Sequence, residues 1–284
     1  MRGCACGDRD GVSSPELGVA HVSCLARRAK ILMEEARENN LDDKALAAKW
    51  RGWSTCSLCE QDYHGVVACA LGWGCWKTYV GRPEKDSDRV WAMTTLANGL
   101  NGAKFAEESL SIYEAGLAAA ERAWPHRENV VQRDNLASCY NDLGRHEEAL
   151  RLHREIYAFE TARNGFTEGT LTTALNISMI LCDTERYSEA RTFSSKRIGE
   201  STRLLGSDHD ITLRLRSNYA MAIYMDPYSS LQDLTNAVET MENVLRVRRR
   251  VFGDCPRTTS DTWKTEAARA ILAERTSERR ETPS

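Results

Sequence analysis

The sequence predicts an all-α, superhelical solenoid of antiparallel helical hairpins, and three observations predict it. The first is recurrence: Asn135 to Ala149, NLASCYNDLGRHEEA, is followed forty-one residues on by Asn176 to Ala190, NISMILCDTERYSEA, and forty-two further by Asn218, which opens NYAMAIYM. The second is a recurring connector. Gly165-Phe166-Thr167-Glu168, Gly206-Ser207-Asp208-His209 and Gly253-Asp254-Cys255-Pro256 lie 41 and 47 residues apart, each leading into Thr-Leu or Thr-Thr. The third is composition, since only six prolines interrupt 284 residues. A fixed period of this size belongs to stacked helix pairs, none of which can bury its apolar face alone.

The bulk properties narrow the function classes. Net charge is -3 with both signs interspersed, which argues against nucleic acid and anionic membranes as partners. The segment after Met1 has no apolar stretch of a signal peptide, and the longest apolar run, Gly65 to Trp76, falls short of the ~20 residues of a membrane helix. A cytoplasmic chain is expected, with the nucleus as the other compartment. Seven of the ten cysteines precede residue 76, and in a reducing compartment they read as metal ligands and small core residues rather than disulfides.

In chain order, residues 1–20 are rich in Gly, Ser and Asp and hold Cys4 and Cys6. A helix is predicted from His21, with Val22, Leu25, Ala29, Leu32 and Ala36 at helical spacing. A second runs from Asp42-Asp43 to Trp50, its acidic start suited to a helix N-terminus. The knuckle Cys56-Ser57-Leu58-Cys59 precedes an apolar segment, Val66 to Tyr79, and Gly81-Arg82-Pro83 marks the predicted domain boundary. Residues 1–82 are thus expected to form a Cys-rich module, 86–274 the repeats, and 275–284 a disordered tail.

Within the repeats, the first helix of each pair carries small residues at Ala137, Ser178 and Ala220, and the second at Ala149, Ala190 and Ala237. Small side chains there let the helices approach closely. In the first repeat, Leu96-Ala97 keeps the pattern and Ser109 stands where Ala is expected. Gly144 suits the hairpin turn, and the connector threonines suit N-caps. The late Ala237 and the 47-residue spacing share one predicted cause, a longer turn at Asp226-Pro227-Tyr228-Ser229-Ser230. Asp261 to Ala273 reads as a terminal capping helix.

The NLAxxYxxLGRxEEA pattern, the Gly-rich connector and the Thr-Leu start resemble the longer tetratricopeptide repeats of the kinesin light chain family, over residues 86–274. The resemblance implies a concave face, built by the first helix of each pair, that holds a peptide or partner protein. It assigns peptide contacts to Asn135, Asn176 and Asn218. The family's preceding Asn is Asp134, Leu175 and Ser217 here.

Upstream, Cys4-x-Cys6, His21-x-x-Cys24-Leu25, Trp50 and Cys56-x-Leu58-Cys59 resemble the later part of a RING-CH (RING-variant) zinc finger. The resemblance implies zinc held by Cys4, Cys6, Cys56 and Cys59, with His21 and Cys24 as half of a second, incomplete site. It also implies a second function beside the scaffold: an adaptor recruiting a ubiquitin-conjugating enzyme, contributing no catalytic nucleophile. A local alternative is a zinc knuckle, Cys56, Cys59, His64 and Cys69, which acidic Glu60 and Asp62 disfavour. Cys139 and Cys182 are expected to pack, and His126, His146, His153 and His209 to be solvated. Arg246 to Arg250 is expected to oppose a helix dipole. No phosphate loop, GxSxG or HExxH occurs, so a non-catalytic binding scaffold is the expected function.

Overall fold

The structure, a computed structural model, describes residues 21–57, 60–125, 129–253 and 256–281. It is an all-α array, and the extended pairing among the described residues is one isolated bridge, Thr55 with Asp62. The chain divides into two compact units, Met1–Gly144 and Arg145–Ser284.

Unit 1 contains α1 (Val22–Glu38), α2 (Asp43–Trp50), a single 3-10 turn (Arg51–Trp53), α3 (Gly65–Tyr79), α4 (Ser87–Gly102), α5 (Ala106–Ala123) and α6 (Val130–Asp142). Asp42 starts α2 as expected, its carboxylate accepting from the Ala45 N–H at 2.8 Å. Ala29 and Met33 of α1, Trp50, Trp53, Cys75, Tyr79 and Ala92 form one buried cluster. The aromatics meet at angles that suit their quadrupoles: Trp50 lies 5.1 Å from Tyr79 and 5.7 Å, edge-on, from Trp91. The Trp50 indole N–H donates to Thr95 at 3.0 Å, so the polar end of the ring is also held.

The boundary expected near residue 82 is not a break in packing. Helices α3 and α4 cross in backbone contact: a Cβ on Gly72 would sit 2.9 Å from Leu96 Cα, and one on Gly99 would sit 2.6 Å from the Ala68 carbonyl oxygen. No side chain separates the two helices, so the Cys-rich segment and the first repeat share a core. The buried Asp88 carboxylate ties the same junction, accepting from Arg37 of α1 and, at 2.9 Å, from Arg82. Ser109, the substitute for the repeat's alanine, is buried and donates to the Ala97 carbonyl at 2.9 Å. Its hydroxyl fits the small-residue position because that bond satisfies it.

Unit 2 contains α7 (His146–Asn164), α8 (Glu168–Asp183), α9 (Tyr187–Leu205), α10 (Asp210–Tyr224), α11 (Leu231–Phe252) and α12 (Pro256–Glu281). Helices α8, α10 and α12 adjoin in one layer, while α9 packs on α8 and α10, and α11 on α10 and α12. Ser178, Ala190, Ala220 and Ala237 are buried at these contacts, as the repeat pattern expects.

Each connector carries the same latch. Gly165, Gly206 and Gly253 adopt φ of 67°, 96° and 66°, the left-handed region open to glycine. A buried threonine in the next helix's first turn then bonds the glycine carbonyl: Thr170 at 3.4 Å, Thr212 at 2.9 Å and Thr258 at 2.8 Å. These threonines are therefore not the N-caps expected of them. Thr167 caps α8 in a capping box with Thr170, and the His209 ring nitrogen caps α10.

The longer turn falls where the spacing placed it, between α10 and α11. Arg275 of α12 donates to the Ser229 carbonyl at 3.1 Å, and Ser229 donates to the Ile223 carbonyl at 2.7 Å. The expected disordered tail from 275 is instead helical to Glu281, because α12 uses its last turns to hold this insertion.

The helix crossing in unit 1 gives a paired test. Gly99→Ala, with backbone in the way, is expected to lose about 1–3 kcal/mol in urea unfolding. Gly199→Ala, on α9 with nothing within 4 Å of the new Cβ, is expected to be neutral or to gain up to ~1 kcal/mol.

Candidate functional site

Of the residues assigned to zinc, Cys4, Cys6 and Cys59 lie outside the described residues, as does Leu58 of the same motif. His21 and Cys24 are exposed at the start of α1, and Cys56 is buried. Arg28, one turn beyond Cys24, donates to the Ser57 hydroxyl, so α1 lies against the knuckle segment. Among the described residues no three His, Cys, Asp or Glu side chains gather as metal ligands. The described residues of this segment pack around the apolar and aromatic core of Trp50, Trp53 and Tyr79, and the expected zinc-finger module and its ubiquitin-conjugating-enzyme site find no support among them. Of the knuckle's residues, Cys69 and His64 join α3 and its N-cap.

The asparagines fare differently from one another. Asn135 is half-buried on α6 in unit 1, and Asn176 is half-buried on α8 in unit 2. Asn218 on α10 is 5% exposed, and its amide donates to the Ser178 hydroxyl at 2.8 Å. It ties α10 to α8 from beneath the surface. Beside it the buried Cys182 thiol donates to the Asn218 carbonyl at 3.7 Å, and burial pushes that thiol up to about 12. Cys139 is likewise buried. Both cysteines are packing residues.

The solvent side of the α8–α10–α12 layer repeats a stripe. On α8 it is Thr172, Asn176, Met179 and Asp183, the residues left unburied at steps of four, three and four. On α10 the same register gives Arg214, the buried Asn218 and Met221, with Met225 at the C-cap, and on α12 it gives Ser260, Lys264, Ala267 and Ile271. Polar and cationic groups occupy one end of the face, and methionines, Ile271 and the Asp183 carboxylate the other. Unbranched thioethers can repack around different partners.

Charge on this face is set by burial. Desolvation holds the Lys264 ammonium below the ordinary lysine range; Asp261 opposes this and Arg214 deepens it. Burial likewise pushes the Asp183 carboxyl up, against the pull of His146 and Lys264. Helix α12 is positioned by Arg248 of α11, which is 1% exposed and donates to both Asp210 of α10 and the buried Asp261 of α12. The basic run was expected to serve a helix dipole, but Arg248 points inward and clamps three helices.

Two histidines depart from solvation. His153 is buried in α7, and His209 caps α10 while its other nitrogen lies 4.0 Å from Glu168. His126 lies outside the described residues.

Residues 127–198 match the tetratricopeptide repeat family. A Podosopora anserina structure described as a kinesin light chain with nearly identical TPR-like repeats superposes with a TM-score of 0.53 at 15% identity, covering 83% of this chain and 100% of that one. A point variant of it gives 0.54 at 15%, covering 82% and 98%. The tetratricopeptide match is confined to residues 127–198, and the array as a whole has a kinesin-light-chain-like fold. BtubC (BKLC) from P. vanneervenii extends the likeness to 94% of this chain and 95% of that one, at a TM-score of 0.50 and 16% identity. No curated protein sequence matches the chain. No described helix is long and apolar enough to cross a membrane.

Three outcomes follow from this geometry. Arg248→Ala, which leaves Asp261 buried without its cation, is expected to cost about 3–5 kcal/mol in chemical denaturation. The exposed pair Arg154–Glu189 should cost no more than ~1 kcal/mol when broken by Arg154→Ala. Chelator treatment should leave Trp50 and Trp53 fluorescence and the thermal midpoint unchanged, because their core is apolar; a fold driven by zinc would instead collapse.

Proposed function

We propose that the protein is a non-catalytic interaction scaffold whose unit 2 takes a peptide or partner protein on the α8–α10–α12 face. The observation that carries this reading is the stripe in register. Three adjoining helices place these residues in one register, open to solvent except for the buried Asn218, while every position between the stripe residues from Thr172 to Asp183 on α8 is buried. Tetratricopeptide repeats bind protein partners in general, and a layered face of this kind offers continuous contact area. Asn176 is the asparagine available for contact. Asn218, bound to Ser178, supports the face by fixing α10 against α8.

The test compares partners recovered by affinity purification with the wild type, an Asn176→Arg/Met179→Glu variant, and a Ser195→Glu/Lys196→Glu variant on exposed positions of α9. Loss of partners from the first variant alone is expected. Equal recovery from all three would sink the face as the binding surface.

A further inference from the structure

We infer that a second copy of this chain docks on an exposed row of α12, so that two copies pair through a two-fold axis. The row lies one residue before the stripe in each helix, turned from it by about 100°. On α8 it is Leu171, Leu175, Ser178 and Cys182, all buried. On α10 it is Leu213, Ser217, Ala220 and Tyr224, again all buried. On α12 the same register gives Thr259, Trp263, Glu266 and Ala270, all exposed. What covers the row on α8 is a neighbouring helix of the same layer, since Leu171 and Leu175 pack against Ile211 and Leu215 of α10. The α12 row instead offers solvent a tryptophan that is 68% exposed. Tryptophan and arginine are the side chains most enriched where interfaces take their binding energy, and Arg249 of α11 stands beside this one.

Charge decides the occupant. Arg249 is held at the level of Thr262, donating to its hydroxyl at 3.3 Å, and Glu266 follows one turn further along α12. Neither enters an ion pair among the described residues, whereas their neighbours Arg250 and Arg269 are paired with Asp208 and Glu242. One cation and one anion, about 6 Å apart along the helix, make a patch that complements itself when inverted. A two-fold axis at the level of residue 264 sets Arg249 of each copy against Glu266 of the other, so both charges pair, twice over. A partner of a single charge sign would bury one of them unpaired, which is costly. The same axis brings the two Trp263 rings to within about 3 Å of one level, an arrangement that suits an offset or tilted aromatic pair. Arg249, Thr258, Thr259, Thr262, Trp263 and Glu266 line a hollow of about 380 Å³, a size that encloses ligand-sized groups. The indole of the second copy enters this hollow. Ala270 and Ala273, exposed further along α12, let the two helices approach closely.

The experiment follows the mass of the full chain by analytical ultracentrifugation. A contact of one helix per copy is at the small end of interfaces, so loading runs from about 5 to 500 µM. The wild type is expected to move from its monomer mass of 31.9 kDa towards twice that value. Trp263→Ser, Arg249→Glu and Glu266→Arg should each weaken association at least about tenfold, as coupling between close interfacial charges implies. All three positions are exposed, so the thermal midpoint should stay at the wild-type value. The deciding sample is an equimolar mixture of the Arg249→Glu and Glu266→Arg variants. Across the proposed axis each cross-copy contact then again joins an anion to a cation, so the mixture should associate as the wild type does. A wild type that stays monomeric at every loading would overturn the proposal, and the hollow would then belong to a different protein or a small ligand. Variants that associate as strongly as the wild type, or a mixture as weak as its two components, would overturn it as well.

Discussion

Two helix backbones can touch only where nothing larger than a methyl or hydroxymethyl group lies between them, and this limit governs the molecule. In unit 1 the limit is absolute at Gly72 and Gly99, where α3 and α4 meet backbone to backbone. Elsewhere it is met by Ala97 with Ser109 in unit 1, and by Ser178, Ala190, Ala220 and Ala237 in unit 2. Close approach brings the larger side chains on either side into dense contact, and dispersion and burial then stabilise the array. Where serine replaces alanine it must find a bond at short range. Ser109 reaches a carbonyl, and Ser178 both donates to the Leu175 carbonyl and receives the Asn218 amide.

Local chemistry made much of this legible in the sequence. The starts of α1, α2 and α3 fall within a residue or so of the expected positions, because caps and apolar periodicity are properties of neighbouring residues. The turn at 226–230 was legible as well, since an insertion shifts the period without erasing it. The role of Asn218 was not. Its neighbour across the layer, Ser178, is forty residues away, and only the packed layer shows that the amide is occupied. Arg248 escaped for the same reason, as its carboxylates stand 38 residues before it and 13 after it. The metal assignment rests on Cys4, Cys6 and Cys59, which lie outside the described residues, while the described part of the Cys-rich segment is built on the apolar core of Trp50, Trp53 and Tyr79.

The α8–α10–α12 face joins these scales. Its residues share one register, Asn218 below and Arg248 behind tie its helices together, and desolvation lowers the Lys264 pKa. The ties that hold these helices and the residues proposed to meet a partner are therefore different atoms of the same helices. Changes on the outer stripe can alter a partner while the ties underneath stay intact.

The glycine–threonine latch at each connector has a consequence for lineage. Its three copies are self-contained: donor, acceptor and left-handed glycine all sit within six residues of one another. A duplicated or deleted segment that begins and ends at these junctions brings its own fastening with it. Such an array can change length by whole modules, and a change of length at a hairpin tip such as Asp226 to Ser230 interrupts no latch.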